Sequence, residues 1–299
     1  DQVEDVPEIE VTMNKVLDGS PPLYLICMGG ENGVGGASGA ELATLANNRV
    51  NFDLGIFSDA NTAATGNATA HVTCSGMYLS SVSFTIPVDG NATEDVTLVG
   101  NNKIWNTGIH SSDSIGDYAI TNATSAATAR RYKFNYPNSI LPTGVGGIPV
   151  PSRSPAPAVP YLQSVTISCD LGREAINELG RMAPYFRYVN FPVEVTSEFE
   201  VIADNGDQMN ANDFSDQVGC GTYKNLTDKT VKVSICGSGD GVNDSLTIDL
   251  GNKNKLTSVN YTGGDTGGGN ATITYSFQTF NKLVVTGSGS YVSEDAINF

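Results

Sequence analysis

An eight-residue segment occurs twice in this chain, and it constrains the fold more than any other feature. Tyr78–Thr85 (YLSSVSFT) recurs 83 residues later as Tyr161–Ser168 (YLQSVTIS). Both copies alternate apolar and polar side chains, which is the pattern of a strand with one buried face. The repeat therefore predicts either two similar strands in one sheet or one β-module used twice. It favours a structural protein over a catalyst.

Composition also favours a β-protein. The chain has 299 residues, of which 33 are glycine and 16% are charged. This length suits one large β-domain or two small ones, and the composition is typical of turn-rich β-structure. Alternating or apolar runs predict strands over these segments: Leu23–Cys27, Met77–Val88, Glu94–Val99, Phe191–Ile202, Thr230–Ile235, Ser245–Leu250, Lys255–Tyr261, Ala271–Phe277 and Leu283–Thr286.

Helical signals are few. Asp170 is a suitable N-cap for a short helix over Leu171–Leu179, and Gly180 would end it. A brief helical turn is also expected at Ala40–Ala43. The fold class predicted from the residues is mainly β with one short helix, an α+β arrangement.

Residues 100–160 have a different character, with Ser, Thr, Asn and Ala first and then prolines among glycines. Proline cannot donate a hydrogen bond to a sheet, so most of this stretch is expected to be a long Pro/Gly-rich arm. The chain is therefore divided into an N-terminal part (1–99), an arm or insertion (100–160) and a C-terminal part (161–299).

The net charge restricts the partners. With 32 acidic and 16 basic residues, the chain carries a charge of −16. Wrapping of nucleic acid requires clustered Lys and Arg, and anionic membranes attract the same residues, so neither is an expected binding partner. An acidic wall repels a polyanion, however, and such repulsion suits a conduit through which DNA passes without binding.

The strand predicted at Phe191–Ile202 has the clearest alternation in the chain. One face holds Val193, Val195, Phe199 and Val201, while the other holds Glu194, Glu198 and Glu200. A period of two places the three carboxylates on the same side of the strand. They are either a solvated face or the charged wall of a channel. Acid–base catalysis by a carboxylate pair is a third reading, which no nearby His or aromatic residue supports.

The cysteines do not predict a secreted disulfide framework, because their number is odd and their spacing wide. Cys27, Cys74 and Cys169 lie in or beside apolar runs and are expected to be buried free thiols, whereas Cys220 and Cys236 could bridge a hairpin. No Cys/His spacing suits a metal ion.

No cofactor is expected. The glycine-rich segment with Gly33 and Gly35 has Ser38 where a dinucleotide fingerprint has its third glycine. The loops at 237–244 and 263–269 are rich in Gly and Asp, like calcium-binding turns, but neither has a recognised calcium-loop spacing. His71 and His110 are not accompanied by a nucleophile elbow, so the chain is not expected to be an enzyme.

Several segments resemble major tail tube proteins of tailed bacteriophages. Tyr161–Ile202, with YVNFPVEV at 188–195, is similar to the central part of that family. Val16–Tyr24 (VLDGSPPLY) is similar to its N-terminal region, and Pro87–Thr97 and 263–277 also resemble it. The resemblance covers about two-thirds of the chain and omits most of the arm.

The resemblance implies a β-barrel-like sandwich of the tail tube type. It also implies a structural virion protein of the phage tail, assembled in the host cytoplasm. Its partner would be itself, in stacked rings around a lumen for genome ejection, with sheath or other tail proteins outside where present. A six-fold ring is favoured, with three-fold as the alternative if one chain holds two modules. Glu194, Glu198 and Glu200 would then face the lumen.

Other functions remain open from the sequence. Seven Asn-x-Ser/Thr sequons suit a secreted or surface β-sandwich adhesin. A calcium-dependent carbohydrate-active enzyme and another virion component (decoration, sheath or terminator) are further alternatives.

Overall fold

The computed structural model describes residues 8–28, 39–58, 68–107, 134–135, 162–203, 230–236, 245–263 and 270–292. The elements before residue 108 are β1 (Ile9–Val16), α1 (Leu23–Met28), β2 (Gly39–Glu41), α2 (Leu42–Leu45), β3 (Arg49–Ile56), β4 (Ala70–Pro87), β5 (Thr93–Gly100) and β6 (Asn102–Thr107). Those after it are β7 (Phe134–Asn135), β8 (Leu162–Asp170), β9 (Glu174–Ile176), β10 (Phe186–Tyr188), β11 (Glu194–Ile202), β12 (Lys232–Cys236), β13 (Ser245–Asp249), β14 (Lys255–Thr262), β15 (Thr272–Phe280), β16 (Val284–Ser288) and a 3₁₀ turn (Gly289–Val292).

The strands form two main sheets and one small hairpin. The large sheet has the order β1-β5-β4-β8-β11-β15-β14, and β3 and β6 pair with β4 beside this path. The small sheet has the order β2-β16-β13-β12-β7, while β9 and β10 pair only with each other. Every strand pair is antiparallel, from β1–β5 to β4–β8. The mainly β prediction is confirmed.

Both sheets contribute to one hydrophobic core. In β11 the alternation predicted from the sequence is confirmed, since Val195, Phe199 and Val201 are at most 1% exposed. Phe199 meets Phe277 of β15 edge-to-face, with 5.9 Å between ring centroids. Residues from the small sheet, such as Ile248, belong to the same buried cluster. Full burial of each such side chain stabilises the fold by about 1.5–3 kcal/mol.

The two copies of the repeated segment lie in neighbouring strands and pair with each other. Phe84 of β4 is opposite Ile167 of β8, and these two occupy equivalent positions in the two copies. The pair is therefore related by a local two-fold axis perpendicular to the sheet. The sequence allowed either two similar strands in one sheet or one β-module used twice. The structure shows two similar strands in one sheet.

Leu23–Cys27, predicted as a strand, is part of helix α1. The carboxylate of Glu94 in β5 explains the helix, because it accepts hydrogen bonds from the backbone N–H groups of Leu23 and Tyr24, each at 2.7 Å. These are two of the donors that a helix N-terminus leaves without an internal partner. Glu94 itself is 0% exposed.

The helix predicted at Leu171–Leu179 is absent, and the chain there forms β9 of the β9–β10 hairpin. Asp170 Oδ1 accepts from the N–H of Gly172, whose φ is 52°, so the chain turns where a helix would begin. Leu179, expected in the apolar stripe, is 105% exposed. The helical turn expected at Ala40–Ala43 is observed two residues later, as α2 (Leu42–Leu45). The described residues therefore contain two short α-helices, α1 and α2, neither of them at Leu171–Leu179.

Arg173 fixes the β9–β10 hairpin to the rest of the chain. Its guanidinium donates to the carbonyl oxygens of Leu79 in β4, of Ala46 after α2 and, at 3.1 Å, of Arg187 in β10. It also lies over the ring of Tyr78, with Cζ 4.9 Å from the centroid. The hairpin is consequently a fixed part of the fold.

The predicted arm is only partly described. Its first residues form β6, which pairs with β4, so the strand structure continues beyond residue 99. Residues 134–135 form β7 at the edge of the small sheet. Residues 108–133 and 136–160 lie outside the described residues, and the division into three parts stays a prediction.

Candidate functional site

The most distinctive surface is the side of the large sheet that faces away from the core, here called the polar face. Cross-strand pairing aligns its side chains in rows. One row runs from Asn14 through Asp95, Ser83 and Ser168 to Thr196. Hydroxyl groups dominate these rows, and Ser168 Oγ and Thr196 Oγ1 hydrogen-bond at 2.8 Å.

Glu194, Glu198 and Glu200 all lie on the polar face, on the side of β11 opposite the buried Val195 and Phe199. Ser276 Oγ of β15 donates to Glu198 Oε1 at 3.2 Å, and Ser164 Oγ of β8 donates to Glu200 Oε2 at 3.1 Å. Hydrogen bonds from neighbouring hydroxyls therefore fix the orientation of two of the three carboxylates. The sequence placed all three on one side of the strand, and the structure adds their hydroxyl partners.

Two further carboxylates, Asp95 and Asp170, lie on the same face. The sequence did not single out Asp95, and it predicted Asp170 only as a helix N-cap. Both line a shallow depression of ≈ 380 Å³ together with Glu194. Asn14 Nδ2 donates to Asp95 Oδ1 at 2.6 Å. The alternation in β5 and β8 would have identified them, because each lies one position from a buried core residue.

The five central strands of the large sheet, β5, β4, β8, β11 and β15, contain no Lys or Arg. The nearest cation along these rows is Lys255 in β14, at the end of the strand order, opposite Gln278. On the polar face these five strands therefore present five carboxylates and no Lys or Arg. Its local field repels anions more strongly than the net charge alone would indicate.

The predicted burial of Cys27, Cys74 and Cys169 as free thiols is confirmed. Burial raises the pKa of Cys27 and of Cys169 to about 12, so both are unreactive thiols at neutral pH. Cys236 is exposed, while Cys220, its predicted partner, lies outside the described residues.

Within the described ranges, no group of three or more His, Cys, Asp or Glu could hold a metal ion. In the same part of the chain, no helix is long and apolar enough to cross a membrane. The calcium-like loops at 237–244 and 264–269 fall outside what the structure describes.

The polar face is thus a broad, anionic surface that is rich in hydroxyl groups and contains a shallow depression. Among the described residues, it holds no catalytic group of side chains. No protein-family model and no curated protein sequence matches the chain.

Proposed function

We propose that this chain is a structural virion protein that assembles with copies of itself into stacked rings. The stack would be a phage tail tube, an acidic conduit for genome ejection, rather than an enzyme. The observation that supports this most is the polar face, where five carboxylates lie on strands without a single Lys or Arg. A wall that DNA slides past must repel phosphate at every position, since each contact with Lys or Arg would release counterions and favour binding.

The direction of the strands supports ring formation. Seven strands follow one another along the large sheet, each antiparallel to the next, so β1 and β14 run in the same direction. Rotation about an axis along the strands would bring β14 of one copy beside β1 of the next, in parallel orientation. Pairing these ends would also remove the edge strands of the sheet, which otherwise promote aggregation.

The repeated strands support six copies in a ring rather than three. In a three-fold ring each chain would hold two modules related by rotation about the tube axis, and equivalent strands would then point the same way. The repeated strands β4 and β8 are antiparallel. They are therefore not equivalent strands of two such modules.

Electron microscopy of the purified chain over a range of concentrations tests the proposal. Rings or hollow tubes that increase with concentration are expected. A chain that stays monomeric at all concentrations, in the absence of rings in any native particle, would contradict it.

The lumen assignment can be tested by reversing the charge of the polar face. Replacing Glu194, Glu198 and Glu200 by Lys changes the net charge from −16 to about −10, because each substitution adds two units. Assembled tubes of this variant are expected to retain DNA that nuclease cannot digest, since a cationic wall binds phosphate. The matched Gln variant, which removes the same charges without adding cations, should retain none.

Two outcomes would contradict the assignment in different ways. Bound DNA that nuclease digests would place the three residues on the outer wall and leave the tube itself unaffected. Lys-variant tubes that bind no DNA would show that charge on this face does not govern DNA passage.

A further inference from the structure

A second surface differs from the polar face in both charge and chemistry. A groove of ≈ 350 Å³ lies between the β9–β10 hairpin and the first residues of β3 and β6, and its walls include Arg49, Arg181 and Arg187. The whole chain has only 16 Lys and Arg residues. Three guanidinium groups around one groove, here called the arginine groove, therefore form a local concentration of positive charge on an acidic protein.

The wall of the arginine groove already binds a carboxylate. Arg187 Nη1 lies 2.7 Å from Oε1 of Glu8, and Arg187 Nη2 donates to Asn101 Oδ1 at 2.9 Å. The side chain of Arg187 is only 7% exposed, so its orientation is fixed. Arg181 is 56% exposed, and its contact with Glu178 is a surface pair at 3.4 Å, which contributes little to stability and exchanges easily.

Exposed large apolar side chains lie close in sequence to the residues of this groove, and Tyr185 is part of its wall. Ten large hydrophobic side chains are exposed among the described residues, and five of them fall within 13 consecutive positions. This group, here called the apolar rim, consists of Leu179 (105% exposed), Met182 (66%), Tyr185 (50%), Tyr188 (50%) and Phe191 (44%). Tyr, Phe, Met and Arg are the residues enriched at protein–protein interfaces, and Tyr and Arg dominate their binding energy.

The apolar rim is presented on a rigid base. Arg173 bonds the hairpin to β4 and to the end of α2, and Phe186 meets Tyr78 edge-to-face with 5.6 Å between centroids. The backbone N–H of Tyr185 also donates to the carbonyl oxygen of Ile176 at 3.0 Å. The backbone that carries the rim is therefore held in place before binding, and preorganisation of this kind increases affinity.

We propose that the arginine groove and the apolar rim form a docking surface for a carboxylate-bearing face of a second copy of this chain. Charge complementarity identifies the occupant, because the chain has twice as many acidic as basic residues and a net charge of −16. Nucleic acid also offers anions, but the rest of the chain, with its net charge of −16, repels it. The inference rests on the proposed function and deepens it by naming one contact between copies.

Replacing Arg181 by Glu tests the contact. Sedimentation velocity of the full chain is expected to show self-association at least tenfold weaker than for the unchanged chain. Lys253→Glu is the matched control, since it makes the same change in charge at an exposed turn outside the groove and should leave association unchanged. Met182→Ser, which keeps all charges, should also weaken association.

The outcomes separate this proposal from the tube. Normal tubes from Arg181→Glu and Met182→Ser would overturn the docking surface and leave the tube intact. Dimers that Arg181→Glu abolishes, without rings or tubes, would support the docking surface and contradict the tube. A chain that is monomeric throughout would overturn the docking surface. So would a duplex oligonucleotide that binds the unchanged chain but not the Arg181→Glu variant, because the groove would then bind nucleic acid.

Discussion

Replacing Arg173 by Met is expected to lower the free energy of unfolding by about 4 kcal/mol. The guanidinium donates to carbonyl oxygens of Leu79, Ala46 and Arg187, which belong to three separate segments. Met fills the aliphatic volume but leaves these carbonyls without their donor, at a cost of about 1–3 kcal/mol for each one that water does not reach. The stacking on Tyr78 is lost as well.

Urea denaturation followed by circular dichroism measures this loss. The Arg173→Lys variant should be less stable than the unchanged chain and more stable than Arg173→Met. A single ammonium group cannot donate to all three carbonyls as the planar guanidinium does. Burial lowers the pKa of Arg173 to about 10, so the group remains charged at neutral pH. Lys253→Met is the control and should change stability by less than about 0.5 kcal/mol, since Lys253 is exposed and lies outside the arginine groove. Equal stabilities for the Arg173→Met and Lys253→Met variants would refute the role assigned to Arg173.

The second large effect is a fall in stability as the pH rises, caused by Glu94. Burial raises the pKa of this carboxyl from 4.5 to about 7, against the opposing effects of the Tyr24 and Leu23 N–H groups and of Lys15, while Asp95 raises it further. Because the folded pKa lies above the unfolded one, the stabilisation is complete below about pH 4.5 and is lost as the pH rises to about 7. A shift of this size corresponds to about 3 kcal/mol.

Denaturation curves at pH 5 and pH 8 measure this effect. The unchanged chain should lose about 2–3 kcal/mol more than Glu94→Gln across the interval, because Gln does not titrate. Glu174→Gln, at an exposed carboxylate of the hairpin, should follow the unchanged chain. If Glu94→Gln shows the same pH dependence as the unchanged chain, Glu94 does not titrate in this range.

The sequence predicted the central strands well, because each of them has one solvent-facing side and one buried side. β5 and β11 begin and end within three residues of the segments predicted from alternation, whereas β4 ends within one residue of its predicted end but begins at Ala70, seven residues before Met77. The same alternation placed Glu194, Glu198 and Glu200 on one face of β11. It could not show which strands are neighbours, so the rows that bring Asp95 and Asp170 near Glu194 became visible only in the folded sheet.

Helix α1 was predicted as a strand because a short apolar run fits either structure. Four of its six residues are buried, so no amphipathic period is visible in the sequence. The deciding interaction comes from Glu94, about 70 positions away along the chain. A capping carboxylate at that separation leaves no local signal.

The helix predicted at Leu171–Leu179 was wrong for a different reason. Asp170 and Gly180 match the signals of a helix start and stop, and the residues between them would form a stripe. Here the same two residue types form turns, since Gly172 and Gly180 both have positive φ. The tertiary contacts of Arg173, which no local pattern encodes, then favour the hairpin over the helix.

The pairing of the repeated strands has a consequence for how the chain reaches its folded state. β4 and β8 alternate in the same way and resemble each other in sequence, so β4 of one molecule can pair with β4 of another almost as well as with its own β8. The intramolecular pair, in contrast, requires closure of a long loop between residues 87 and 162, which is slow for entropic reasons. Refolding at high protein concentration therefore favours exchange of these strands between molecules. Dilution, or synthesis of one chain at a time, favours pairing of β4 with β8 of the same molecule.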